Sequence, residues 1–315
     1  MKHLRFTAIA ATMVAAAPVL AQSYPEGDID LVVPFDPGGS VDVTSRIIAE
    51  TANTLLDGAT INVVNRAGGG GVVGQTAVSM AQPDGYTVLA MTSSVVTNPQ
   101  MKGATYAVSD FRPVALYNLD PEVIAVPANS PYQTAEEFLA AAEEQTMNVV
   151  VAGIATSHHM SGLAIERVTD IDFNYIPTKG FGGQLQAIAG GHADAALWPM
   201  GEAAGQVGAG VRILAVASEE RDENFPDVPT FEEAGIDIPI WATFRGWAVP
   251  EGTSDEVVQE LSDLMQAVYE TPAYIEKMEA AGYDPVFRDA ASFETVVNSY
   301  AEQTSAIIEE AGLGQ

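Results

Sequence analysis

A regular alternation of short apolar runs with amphipathic stretches, punctuated by glycine- and proline-bearing turns, constrains this chain more than any other feature. Ile29 to Phe35 has the length and β-branched content of a buried strand, and Pro37-Gly38-Gly39 turns it into a helix over about 41–56. Ile61 to Val64 is the next strand, followed by a glycine-rich turn and a helix near 72–81. Pro83-Asp84-Gly85 then leads into a strand over 86–91. Repetition of this kind predicts an α/β architecture with a largely parallel sheet. A second unit opens at Val123-Ile124-Ala125-Val126, and Thr134 with Glu137 forms a capping box for a helix ending near Glu144. A strand over 148–152, a polar loop over 154–159 and a helix over 161–168 follow. Further strands are expected at 173–176, 193–197 and 213–217, with a helix over 183–189. The chain crosses back through 226–239, where Thr230 and Glu233 make another capping box. The last third reads as helices at 257–269 (behind a cap of Thr253 and Glu256), 273–281 and 293–311. The economical arrangement is two α/β lobes joined by two crossover strands, with a cleft between the lobes. Residues 22–122 and 228–315 make the first lobe and 123–227 the second.

The N-terminus has the features of an export signal. Lys2 and Arg5 precede an apolar run from Phe6 to Leu20, and Val19-Leu20-Ala21 supplies the small-residue cleavage pattern. The run falls short of the roughly 20 apolar residues that span a bilayer and contains Pro18, so residues 1–21 are expected to be a cleaved signal peptide. There is no cysteine, which removes both disulfides and a lipid-anchor site. A chain of this size can build a core without disulfides. The 13 Lys and Arg stand against 42 Asp and Glu, a net charge of −29, and loss of Lys2 and Arg5 makes the balance more negative still. Nucleic acid and anionic membrane are excluded as partners, since both need basic patches. A local site of backbone N–H groups and one or two cations can still hold an anion. The overall acidity itself is that of a surface adapted to salt.

Val32-Val33-Pro34-Phe35-Asp36-Pro37-Gly38-Gly39-Ser40-Val41-Asp42 is the most informative segment. A strand ends in a tight turn that opens directly into a helix, whose first N–H groups lack internal partners and attract an anion. A plainer reading is an ordinary turn with Ser40 or Asp42 as the cap. The run from Val149 to Met160 repeats the geometry, with Ala155, Thr156, Ser157 and His158 at the second helix start. His158-His159 lacks the i, i+4 spacing of a zinc site, and Ser157-His158 is a poor nucleophile–base pair with no Gly-x-Ser-x-Gly elbow. Gly69-Gly70-Gly71-Val72-Val73-Gly74 matches a dinucleotide fingerprint in letters only. It lies in the second strand–helix unit, and no acidic residue follows at a strand end. No metal, cofactor or enzymatic activity is expected. Thr92 and Ser93 follow a strand and complete a cradle. Trp198 and Met200, at another strand end, are either core or, if that strand ends at the cleft, an apolar wall; Lys179 and Arg245 stand out because basic residues are scarce, and each is either a surface salt bridge or a ligand contact.

Together these segments resemble the Bug family, the solute receptors of tripartite tricarboxylate transporters. Pro34-Phe35-Asp36-Pro37-Gly38-Gly39-Ser40-Val41-Asp42 is similar to the family's Pro-Phe-x-Pro-Gly-Gly-x-x-Asp signature. Asn65-Arg66-Ala67-Gly68, Pro83-Asp84-Gly85-Tyr86-Thr87, Asp110-Phe111-Arg112-Pro113-Val114, Gly190-Gly191-His192-Ala193-Asp194 and Pro226-Asp227-Val228-Pro229-Thr230 look like further landmarks, in order. The resemblance implies a Venus-flytrap periplasmic-binding-protein fold. One ligand carboxylate is then held at the Pro-Gly-Gly loop (Phe35, Pro37, Gly38, Gly39, Ser40 and Asp42) and the other end at Ala155 to His158. It also implies a di- or tricarboxylate, acidic amino acid or aromatic acid as ligand, and large and small integral membrane subunits as partners in a Gram-negative envelope. The receptor itself is expected to be a monomer. Two departures bear on the ligand: Leu197-Trp198-Pro199-Met200 replaces the common Phe-Asp-Asn, and Thr243-Phe244-Arg245-Gly246 is closer to the citrate-receptor branch. An apolar wall with one guanidinium suits an extended or aromatic body with a carboxylate end. A periplasmic ligand sensor for a signalling partner would share every one of these features.

Overall fold

Aliphatic and β-branched clusters form the strands, and amphipathic runs between them form the helices. The computed structural model describes residues 24–238 and 240–314, so the expected signal peptide lies outside the described residues. In chain order the elements are β1 (Ile29–Val33), α1 (Ser40–Leu55), β2 (Ile61–Asn65), α2 (Val72–Ser79), β3 (Thr87–Thr92), α3 (Ser94–Lys102) and β4 (Phe111–Pro127). Then come α4 (Ala135–Glu144), β5 (Met147–Val151), α5 (Ser157–Val168), β6 (Phe173–Pro177), α6 (Phe181–Ala189), β7 (Ala195–Pro199), α7 (Met200–Ala204) and β8 (Val211–Val216). The chain finishes with β9 (Ala242–Pro250), α8 (Asp255–Tyr269), α9 (Pro272–Ala280), β10 (Pro285–Arg288) and α10 (Ala290–Glu310).

The strands join in the order β2-β1-β3-β9-β4-β7-β5-β6, with β8 and β10 also paired to β4. Each half is built alike. β1 lies parallel to β2 and β3, and β3 meets the antiparallel β9. In the other half β5 lies parallel to β6 and β7, and β7 meets the antiparallel β4. Strand β4 serves both halves: it pairs with β9 as far as Pro121, then with β7 from Glu122 and with β8 from Val123. Helix α10 packs on β4, α3 and α5, tying the two halves together along their backs. Gly246 of β9 permits that seat, because a Cβ there would fall 2.3 Å from the Phe293 ring of α10.

Several boundaries differ from the sequence reading for physical reasons. Helix α5 begins at Ser157, so half of the expected polar loop is a first helical turn whose Ser157, His158 and His159 are buried. Polar letters suggested solvent where the chain instead faces an interior cleft. Helix α3 was not expected. It carries Pro99, and half of its buried positions are polar: Ser94, Thr97 and Asn98. The Thr230–Glu233 capping box forms reciprocally, at 3.1 and 2.9 Å, yet only a turn follows it. Ser254, not Thr253, caps α8, while the Thr253 hydroxyl donates back to Pro250 O.

Candidate functional site

Open α/β sheets gather ligands beyond the carboxyl ends of their strands, and here four such ends converge. Phe35 and Asp36 after β1, Thr92-Ser93-Ser94 after β3, Ala152 after β5 and Glu202 after β7 line one narrow cavity of about 50 Å³. Gly39, Ser40 and Val41 bring the start of α1 to it, and Thr156, Ser157 and His158 the start of α5. Gly180, Phe181, Thr243 and Arg245 close the ring. The initial N–H groups of two helices from opposite halves therefore face one small space, each with the positive end of its helix dipole.

Arg245, in the middle of β9, is 1% exposed. Its Nη1 donates to Asp120 Oδ2 at 2.8 Å and to Asn118 Oδ1, and its Nη2 donates to Ser40 Oγ at 2.8 Å. The guanidinium also lies 5.8 Å from the Tyr283 ring centre, while Nε has no partner among the described residues. Asp120 is buried too and accepts from Gly201 N at 3.0 Å. Burial pushes its carboxyl up, and the neighbouring guanidinium opposes that. Arg245 is thus mainly a structural cation, clamped between β4 and the start of α1.

Two more buried carboxylates sit at the helix starts. Glu202, on α7 of the second half, accepts from the Ser40 amide of the first half at 3.3 Å through Oε1, and its Oε2 has no partner among the described residues. Glu122, on β4, accepts from Thr243 Oγ1 at 2.6 Å. The same threonine hydroxyl meets Ser157 Oγ; having one hydrogen to give, it donates to the carboxylate and accepts from the serine. Burial raises both Glu carboxyls above the ordinary range, against the pull of Arg245 on Glu202 and of His158 on Glu122. Burial likewise lowers His158, against the pull of Glu122.

Of the residues expected at the site, Phe35, Gly39, Ser40, Thr92, Ser93, Thr156, Ser157, His158 and Arg245 line the cavity. Asp42 does not. Its carboxylate accepts from Gly38 N, Arg46 and Asn65 and so fixes the turn; against the cost of burial, these bonds hold it below the ordinary carboxylate range. Pro37 and Gly38 form the exposed outer corner of that turn. Ala155, at φ 63, is buried behind the α5 start, where its carbonyl accepts from Thr97. Lys179 lines a separate groove with Gly68 to Gly71 and Lys102. Trp198 and Met200 lie in the core of the second half rather than on the cavity wall; the wall there is Phe181, whose ring packs edge-on to Trp198 at 5.4 Å. Glu122 and Glu202 escaped sequence reasoning, because isolated acidic residues look like solvated surface in so acidic a chain; Thr243 entered only as part of the Thr243-Phe244-Arg245-Gly246 run.

Fold and cleft together define a two-lobed α/β binding protein. Residues 44–313 match the tripartite tricarboxylate transporter family receptor, and the chain belongs to that family. It is similar to BugT of Bordetella pertussis, at 29% identity over 96% of this chain and 94% of that one. A TctC solute-binding protein from Polaromonas without ligand is 31% identical, covers 91% of this chain and 100% of its own, and superposes with a TM-score of 0.71. MatC of Rhodopseudomonas palustris with bound malate is 27% identical over 90% of this chain and 100% of its own, at a TM-score of 0.84. These relatives are binding proteins, and the chain is a binding protein rather than an enzyme. No described helix is long and apolar enough to cross a membrane.

Proposed function

We propose that this protein is the periplasmic receptor of a tripartite tricarboxylate-type transporter, capturing a small organic carboxylate and delivering it to large and small integral membrane subunits. The observation that carries this reading is the convergence of the α1 and α5 N-termini on one cavity. Unpaired N–H groups and two dipole ends favour a compact anion there. Malate in the relative MatC belongs to the same ligand class. The cavity is small: one water needs about 10–15 Å³, so about 50 Å³ suits a short, compact carboxylate better than a bulky aromatic acid. The lobes are proposed to comprise 22–122 with 228–315 and 123–227; the transfer of β4 from β9 to β7 and β8 at Pro121–Val123 supports that division.

A thermal-shift screen of the purified protein against aliphatic diacids, citrate, amino acids and aromatic acids tests the reading. A cognate ligand at 100 times its Kd adds about 2.7 kcal/mol of stability. Absence of any shift across all carboxylate classes, with folded and ligand-free protein, would overturn it.

A further inference from the structure

The charges around the cavity do not balance for a ligand that brings only carboxylates. Asp120 is matched by Arg245 at 2.8 Å, and Glu122, held by the Thr243 hydroxyl, lies outside the residues that line the cavity. Glu202 feels the same guanidinium but makes no ion pair with it, because Arg245 is committed to Asp120. Glu202 is 6% exposed, lines the cavity, and carries an oxygen, Oε2, with no hydrogen-bond partner among the described residues. Its other oxygen already occupies the Ser40 amide at the head of α1, one of the donors that a ligand carboxylate would otherwise use. A carboxylate-only ligand would place like charge against Glu202 in a small cavity. A buried unpaired carboxylate is costly unless a cation or donor meets it.

We infer that Glu202 is a specificity-determining residue that receives the protonated amino group of the ligand, so that the substrate class is a small amino acid rather than a plain di- or tricarboxylate. This rests on the carboxylate-receptor reading above and narrows it. An ammonium group has three donors and no acceptor; Glu202 Oε2 takes one, and the hydroxyls of Thr92 and Ser93, both lining the cavity, are acceptors within the same ring of residues. The ligand carboxylate then falls to the α5 end, where the Ser157 and His158 amides start a helix.

Calorimetric titration with matched pairs that differ only by the amino group tests this: aspartate against succinate, glutamate against glutarate, alanine against propionate. For at least one pair the amino acid should bind about tenfold or more tightly than its deaminated partner, as a charged hydrogen bond implies. Glu202→Gln keeps the shape and an acceptor for Ser40 N while removing the charge; it should erase that preference and leave the deaminated acid bound as well or better. If diacids bind and their amino counterparts bind no better, or if Glu202→Gln leaves the ratio unchanged, the assignment of Glu202 fails while the receptor reading stands. If no carboxylate binds in either form, both fail.

Discussion

Arg245 and Glu202 show how position changes what a charged residue means. From the sequence, Arg245 is a scarce cation that either makes a surface salt bridge or faces the ligand, and in the second case its removal weakens carboxylate binding by about 1.5 kcal/mol or more. In the structure its Nη groups are committed to Asp120, Asn118 and Ser40. Arg245→Ala therefore strands a buried Asp120, and chemical denaturation should show a loss of about 3–5 kcal/mol in the unliganded protein. Unchanged stability would mean that the ion pair does not form. Glu202 gives a pH signature of opposite kind. Its carboxyl is raised in the folded state, by burial first, so its contribution is fully present below its unfolded value near 4.5 and is lost as pH rises. Glu202→Gln should stabilise the unliganded protein at neutral pH, with the gain shrinking toward pH 4.5; parallel melting curves across pH would contradict a buried, strained carboxylate. Both effects involve the same Ser40 corner, so the double variant should be non-additive.

At the scale of elements, what was legible followed from local chemistry and what was hidden followed from long-range pairing. The Pro-Gly-Gly turn into α1 was readable because strand, turn and helix signals succeed one another within a dozen residues, and α1 begins within one residue of expectation. The α5 start was legible as a helix start beside the cleft but read partly as loop, since buried polar residues look like exposed ones in sequence. Strand β9 was not anticipated at all, despite eight consecutive buried positions, because a run broken by Arg245 and Gly246 has no clear period. Trp198 was misplaced for a related reason: a residue at a strand end can face either cleft or core, and letters do not decide which. Helix capping, a local property, is open to direct test. Ser254 accepts from Val257 N at the head of α8, so Ser254→Ala should cost about 1 kcal/mol in urea titration. A loss near zero would shift the cap to Thr253, as the sequence suggested.

For the molecule as a whole, function depends on two similar halves meeting across a cleft. Besides the Ser40–Glu202 and Thr243–Ser157 bonds, Thr97 donates to Ala155 O, and Asn98 and Lys102 hold the glycine run of the first half beneath the 153–156 loop of the second. Gly70 is a close point between the halves: at φ 65, an added Cβ would lie 3.2 Å from Ile154 O and 2.4 Å from Lys102 Nζ. Gly70→Ala should weaken ligand affinity about fivefold or more, as roughly 1–2 kcal/mol of left-handed strain and the contact with Ile154 both oppose closure; an unchanged Kd would show that the halves do not close there. The acidic surface should make stability rise with salt through screening. That the ligand sits between two helix N-termini from opposite halves can be read from backbone amide resonances during titration with the ligand found in the thermal screen. Saturable shifts concentrated at 39–42 and 156–158, with one stoichiometric site, are expected. Shifts confined to one of the two helix starts, or centred elsewhere on the surface, would contradict it.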